Sequence, residues 1–330
     1  MSRISSPSDE DLLAVLRLAG ETPVSGTMLA NRWGISRAAI WKRICALRER
    51  GFTIEAIPRD GYRLCFEPDL LTLEAVAPLL RGCFFTPDLY HFWPSLNSTN
   101  TTASEMARCG AREGSVVVAE SQTQGRGRLG RIWVSPAGLN LAFSLILRPI
   151  LEPRYAAQIT LLTGLALAEA VREAGLVQVV LKWPNDLMVG EKKLAGILTE
   201  MEAEADHVRF IIVGIGMNFH SLSKDFPADL ADVVTSFAQV LKKTVKRNRF
   251  LADFLYIFEN WYRCYLAFGF APIRQAWLEC SQVRGRMVRV NLAREQFSGE
   301  AVDLDAEGFL LVKREDGKVC RVVAGDVTLK

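Results

Sequence analysis

The sequence has no run of about 18 apolar residues, the length a membrane-spanning helix needs; its greasiest stretches, 159–168 and 210–217, are short and carry threonine or glycine. Nor does it open like a secreted chain, because MSRISSPSDEDLLAVL turns acidic before an apolar signal core can form. The expectation is a cytoplasmic protein with no membrane partner. Histidine is scarce: His91, His207 and His220 are the full set, none with a partner at metal-ligand spacing. That argues against a metal site in the chain and against histidine-centred nucleophilic catalysis. The seven cysteines (45, 65, 83, 109, 264, 280 and 320) are odd in number and contain no C-x-x-C; they read as reduced thiols, not as a disulfide frame or a zinc site. A bulk charge excess is also missing, with 40 Lys and Arg against 37 Asp and Glu. What is present is an ordinary folded composition, 49% hydrophobic and 23% charged, over 330 residues. That length suits two domains, or three if one is small.

The small positive balance is concentrated. Residues 1–66 hold ten Lys and Arg against seven Asp and Glu, and the remainder of the chain is neutral. In this segment Ser8-Asp9-Glu10-Asp11 has the spacing of a capping box, followed by Leu12, Leu13, Val15 and Leu16 at helical intervals. Ser25 predicts a second helix through Met28, Leu29 and Ala30, and a turn at 31–35 with Gly34 at positive φ leads to Ser36, the cap of a third helix reaching Arg50. Ile40, Ile44 and Leu47 fall on one face of that helix, while Arg37, Trp41, Lys42, Arg43 and Arg48 largely occupy the others. Residues 52–57 and 62–64 then read as a hairpin with an Asp-Gly tip at Asp60-Gly61. The order predicts a winged helix-turn-helix at 1–66, its third helix carrying DNA contacts at Ser36, Arg37, Trp41, Lys42 and Arg43. A small helical domain with a solvated basic face is the plainer alternative.

Pro68 and Pro78 mark a loose join, after which Ser98-Thr99-Asn100 precede a helix at 101–109. These groups serve either as plain caps or as ligand donors beside free backbone N–H groups. A valine-rich strand at 115–120 runs into Gln122 and then Gly125-Arg126-Gly127-Arg128-Leu129-Gly130-Arg131. This contains a literal G-x-G-x-x-G, yet a dinucleotide fingerprint needs a helix at the third glycine and an acid closing the next strand. Here 132–136 looks extended and the first following acid is Glu152, between two prolines. What remains is a loop in which glycines let backbone N–H groups approach an anion and guanidiniums supply paired donors, with a solvated hairpin tip as the bland reading. A long apolar helix follows at 155–174. Closely spaced strands come next at 177–183, 187–189, 194–201 and 207–219, predicting an antiparallel or mixed sheet in an α+β fold. Lys182 ends the apolar run Val179-Val180-Leu181 and should seek an anion, either a structural carboxylate or a ligand. Short alternating strands at 288–291, 299–304, 309–313 and 319–323 fit a small SH3-like barrel.

Taken together, Ser98-Thr99-Asn100, Gln122 with GRGRLGR (125–131), KWPNDL (182–187), KLAGIL (193–198), GIGMN (214–218) and SRAAI (36–40) resemble the bifunctional biotin–protein ligases and biotin operon repressors of bacteria. Leu129 stands where an arginine is frequent in that family, Asn97 where an acid is common, and 219–240 matches poorly. The resemblance implies a winged helix-turn-helix (1–66), a class II synthetase-like catalytic domain (67–282) and the SH3-like domain (283–330). It implies Ser98, Thr99, Asn100, Gln122, Gly125, Arg126, Gly127, Arg128 and Lys182 as contacts to biotin and its adenylate, with Lys182, Arg126 and Arg128 catalytic. The substrates implied are biotin and ATP with Mg²⁺, giving biotinyl-5'-AMP, from which biotin passes to a lysine of the biotin carboxyl carrier protein of acetyl-CoA carboxylase. Operator DNA is the second implied partner, bound by a homodimer that the adenylate favours. Two rival readings are a ligand-sensing transcription regulator without ligase activity, and a lipoate–protein ligase.

Overall fold

The computed structural model describes residues 7–241, 244–292, 295–323 and 325–329. Contacts divide the chain into two units, Met1–Asp69 and Leu70–Lys330.

In the first unit, Ser8 opens helix α1 (Asp9–Ala19) with a complete capping box: its hydroxyl accepts from the Asp11 amide while its own amide donates to the Asp11 carboxylate. Ser25 caps α2 (Gly26–Trp33). This helix runs three residues beyond the expected stop at Ala30 and closes at Gly34, whose φ of 64° is left-handed. Ser36 caps α3 (Arg37–Glu49) through the Ala39 amide at 3.1 Å. Leu12, Leu13, Leu16, Leu29, Ile40, Ile44 and Leu47 are fully buried between the three helices, each worth about 1.5–3 kcal/mol of burial. The wing pairs β1 (Thr53–Ile57) with β2 (Gly61–Phe66). Its tip corrects the Asp-Gly expectation. The turn closes from the Asp60 amide to the Ile57 carbonyl, and the left-handed residue is Arg59, at φ 73°. Pro58 presets the second position of the turn, which places a positive φ on Arg59, two residues before Gly61 at φ 130°.

The second unit centres on a seven-stranded sheet. Its strands are β3 (Tyr90–Trp93), β4 (Val116–Ala119), β5 (Asn140–Leu147), β6 (Val180–Lys182), β7 (Asp186–Val189), β8 (Lys192–Ala203) and β9 (Val208–Asn218), in the order β3-β4-β5-β9-β8-β7-β6. Only β3 and β4 run parallel, so the sheet is mixed. The helices are α4 (Leu73–Val76), α5 (Thr99–Arg108), α6 (Ala156–Glu173), α7 (Phe237–Val240), α8 (Arg247–Phe268) and α9 (Ala271–Ser281). Alternation on the central strands divides them between two cores. Val116, Val118, Leu145, Leu147, Ile211 and Val213 join the large cluster with α6, α8 and α9, whereas Val117, Ile146 and Ile212 meet Ala103 and Ala107 of α5. Covering both faces explains the unbroken apolar runs of β4, β5 and β9. No helix among the described residues is long and apolar enough to cross a membrane.

Residues 287–329 form a five-stranded antiparallel sheet of β10 (Met287–Asn291), β11 (Gln296–Leu304), β12 (Leu310–Arg314), β13 (Val319–Val322) and β14 (Asp326–Leu329), ordered β13-β12-β11-β10-β14. Four of these were expected; β14 and the early start of β11 were not. No pairing joins the outer strands β13 and β14 among the described residues, so the element is a sheet domain and the expected closed barrel is not seen. It is tied to the central sheet and helices by Trp183 Nε1 donating to the Gly308 carbonyl (3.3 Å), Gln158 Nε2 to Ala306 (2.6 Å) and Arg274 Nε to Leu304 (2.8 Å).

Candidate active site

Beyond the N-terminus of α5, the face of the sheet that this helix covers loses its side chains. Gly214 and Gly216 lie two apart on β9, and Gly196 on β8 faces Gly216 in register. Two large groups rest directly on this backbone floor. A Cβ at Gly216 would stand 2.3 Å from the Trp133 indole, and one at Gly214 would stand 2.0 Å from Asn100 Oδ1. Only glycine allows so close an approach. Between the floor, the start of α5, the loop around 126–134 and the segment 226–234 lies a cavity of about 690 Å³.

The polar side of that cavity is tightly ordered. Helix α5 begins at Thr99, two residues earlier than expected, and Ser98 makes no side-chain capping bond. Ser98, Thr99 and Asn100 are all nearly buried. The Thr99 amide donates to Gln122 Oε1 at 2.8 Å, and the Ser144 hydroxyl lies 2.8 Å from Thr99 Oγ1 and 2.7 Å from Asn100 Oδ1. Asn100 Nδ2 donates to the Leu198 carbonyl and to Glu200 Oε2, the latter at 2.7 Å. Cations line much of the remainder: Arg126, Arg128, Arg131, Lys182 and Lys193 all border the cavity. Asp186, Glu191 and Asp229 are the carboxylates that line it. Arg128 Nη1 donates to Asn185 Oδ1 (3.0 Å). Lys193 pairs with Asp186 at 2.6 Å and lies 5.6 Å from the centre of the Trp133 ring. Such a chamber suits a ligand with a neutral hydrogen-bonding head, an apolar middle and an anionic end.

The chain matches the Biotin/lipoate A/B protein ligase family over 92–218, an HTH domain over 9–63 and the Biotin protein ligase C terminal domain over 284–330. It is 38% identical to the bifunctional ligase/repressor BirA of Bacillus subtilis over 97% of this chain and 98% of that one. The chain belongs to the bifunctional biotin ligase/repressor family. It is also 30% identical to the Escherichia coli bifunctional ligase/repressor BirA, covering 93% of this chain and 92% of the relative. Among solved structures, a biotin protein ligase from Aquifex aeolicus in complex with biotin and ATP superposes with a TM-score of 0.62 at 28% identity, covering 73% of this chain and 98% of that one.

Within this family member, Ser98, Thr99, Asn100, Gln122, Arg126, Gly127, Arg128 and Lys182 come together at one cavity; Gly125 is not among its lining residues. Gly125 lies behind the wall, its carbonyl accepting from the Trp133 amide at 2.9 Å. The loop folds back on itself, and the Gly127 amide, expected to face an anion, donates instead to the Arg131 carbonyl at 2.7 Å. The residues after Gly130 form no helix and bridge back through Ile132 to Arg126, as the rejection of a dinucleotide fingerprint required. Lys182 has no ion pair with a carboxylate among the described residues.

Sequence reasoning missed Trp133, Asn185 and Lys193 as cavity residues, although KLAGIL and the two glycines of GIGMN were in view as motifs. Within 219–240, where the resemblance implies a loop over the adenine end, it named no contact, and the structure brings 226–234 to the cavity. This segment is drawn in by backbone bonds from the Lys193 amide to Val233 and from the Thr235 amide to Lys193.

On α3, the residues expected to meet DNA divide. Arg37, Trp41 and Lys42 are exposed, with Trp41 at 57%. Arg43 pairs with Asp9 at 2.9 Å and helps hold the domain together, as does Arg48, outside the expected contacts, by donating to the Ile54 carbonyl at 2.9 Å. Ser36 caps the helix.

Proposed function

We propose that this chain is an ATP-dependent biotin–[biotin carboxyl carrier protein] ligase that forms biotinyl-5'-AMP and passes biotin to a lysine of the carrier subunit of acetyl-CoA carboxylase. It also acts as a DNA-binding repressor of biotin synthesis genes, with the adenylate as corepressor. The observation that carries the enzymatic reading is the chamber that a glycine floor under Trp133, a neutral polar cluster and five cations line together. The working divisions are 1–66 for DNA, 67–282 for catalysis and 283–330 for the C-terminal sheet domain, in a cytoplasmic protein.

In this reading the ureido ring of biotin meets Ser98 and Thr99, while Asn100 and Gln122 hold that end of α5 in place. The apolar chain of biotin lies along the glycine floor. Lys182 and Lys193 flank the carboxylate and the oxygens of the α-phosphorus that it attacks as pyrophosphate leaves, and Arg126 and Arg128 stand over the adenylate. Mg²⁺ is carried on the triphosphate as part of the nucleotide substrate, which suits a wall bearing Asp186, Glu191 and Asp229 beside the cations. Neither half-reaction needs a protein nucleophile; positioning and charge stabilisation in a partly closed site supply the catalysis. Arg37, Trp41 and Lys42 meet the operator. Among the described strands, residues 198–203 of β8 pair with β9 alone, and this sheet edge is a surface on which a second copy can add its own strand.

The test is transfer of labelled biotin, with Mg²⁺ and ATP, from the full chain to a purified carrier domain, with lipoate as competitor. Biotin transfer that lipoate leaves unchanged is expected. No pyrophosphate release and no transfer, with operator binding intact, would make the protein a ligand-sensing regulator instead.

A further inference from the structure

The polar cluster beside the cavity closes into a ring whose last member lies outside the site as described. Gln122 leads to Thr99, Thr99 to Ser144, Ser144 to Asn100 and Asn100 to Glu200. Glu200 returns to Arg126, only four residues beyond Gln122, at 3.7 Å. Arg126 Nη2 also donates to Thr101 Oγ1 at 3.0 Å. The Glu200 carboxylate is thus divided: Oε2 fixes the Asn100 amide by a short hydrogen bond, while Oε1 holds the guanidinium only by charge. Arg126 lines both the large cavity and a second depression bordered by Thr101, Ser104, Glu105 and Arg108 of α5, and Glu200 lines the latter alone.

We propose that Glu200 is a positioning residue that competes with the adenylate phosphate for Arg126 and so sets how long the adenylate is retained. This rests on the ligase reading above. A phosphate offers Arg126 a paired, charge-assisted acceptor, whereas Glu200 offers a looser contact from the opposite side. With the adenylate bound, the guanidinium is drawn toward phosphate; with Glu200 still charged, part of that attraction is lost. The carboxylate therefore acts as a brake on retention and keeps the product of the first half-reaction available to the acceptor lysine. Its second oxygen has a separate task, the orientation of Asn100.

Glu200→Gln separates the two tasks, because an amide oxygen still accepts from Asn100 but the side chain no longer attracts Arg126. The full chain is loaded with labelled biotinyl-adenylate and chased with unlabelled ligand. For a pair this exposed, loss of label from E200Q is expected to slow by about two- to fivefold, with biotin affinity unchanged because Asn100 keeps its partner. In an Arg126→Gln background the same substitution is expected to change the release rate little, which is the signature of action through Arg126. Equal slowing in both backgrounds would show that Glu200 acts on the ligand directly and overturn the proposal. Equal release from E200Q and the unsubstituted chain would overturn it too. An unsubstituted chain that forms no adenylate from biotin and MgATP would remove the ligase reading and this inference with it.

Discussion

Gly216→Ala tests the floor of the cavity. The added methyl would stand 2.3 Å from Trp133 Cε2, 2.5 Å from its Nε1 and 2.7 Å from Cζ2. Restoring ordinary van der Waals separation requires the indole to retreat by about 1 Å. Trp133 sits on a loop and is half-buried, so the ring can yield without distorting β9, and stability should fall by only about 1 kcal/mol, the low end for overpacking. Catalysis should suffer more. The ring forms one wall of the chamber, and a displacement of about 1 Å in a positioning group costs on the order of 100-fold. The assay is biotin-dependent pyrophosphate release by the full chain, measured beside its urea unfolding midpoint. A variant that unfolds normally and keeps its kcat/KM for biotin would show that the indole is not pressed onto the glycine floor, and the account of the cavity would fail.

Lys193→Ala and Lys182→Ala should each cut adenylate formation by at least tenfold while shifting the unfolding midpoint little; a variant forming adenylate at the unsubstituted rate would lose its assigned role. Lys42→Ala should weaken operator binding and make the salt dependence shallower by about one counterion. Arg43→Ala should instead cost about 0.5 kcal/mol of stability, the scale of its pair with Asp9, so equal effects of the two on DNA affinity would contradict the placement of Arg43. Of the six tyrosines, burial pushes the Tyr90 and Tyr262 phenols far up, with a hydrogen bond to Glu113 adding to Tyr262, and burial pushes Tyr265 up to about 12. Because folding favours their neutral forms, the stability they lend is complete below the ordinary value of 10.0 and is lost as pH rises from there toward about 12. Phenolate absorbance at about pH 11 should report at most three of the six in the folded chain; six titrating together with the fold intact would refute this.

Local signals carried much of the fold. Serines 8, 25 and 36 cap the helices that their spacing predicted, and the strands from 180 to 218 lie in the expected antiparallel run. Strand β5 escaped notice because all eight of its residues are buried and a strand covered on both faces has no alternation to read. The start of α5 was misplaced for a related reason. Thr99 and Asn100 look like cap residues in sequence, but their partners Gln122, Ser144 and Glu200 lie 23 to 100 positions away. The glycine–arginine loop and KWPND were legible as chemistry. That Trp133 would lie on Gly216, or Arg43 would be claimed by Asp9, depended on tertiary contacts that no local pattern encodes.

The bond from Trp183 to the Gly308 carbonyl joins the residue beside Lys182 to the turn between β11 and β12. No described residue of 283–330 lines the cavity, yet this turn supports the strand end from which Lys182 projects, and Gly308 holds a φ of 91°, which disfavours any side chain there. The C-terminal sheet is therefore a buttress and not a detachable accessory. A change in this turn therefore reaches the chemistry through the aim of Lys182, although the turn itself lies outside the cavity.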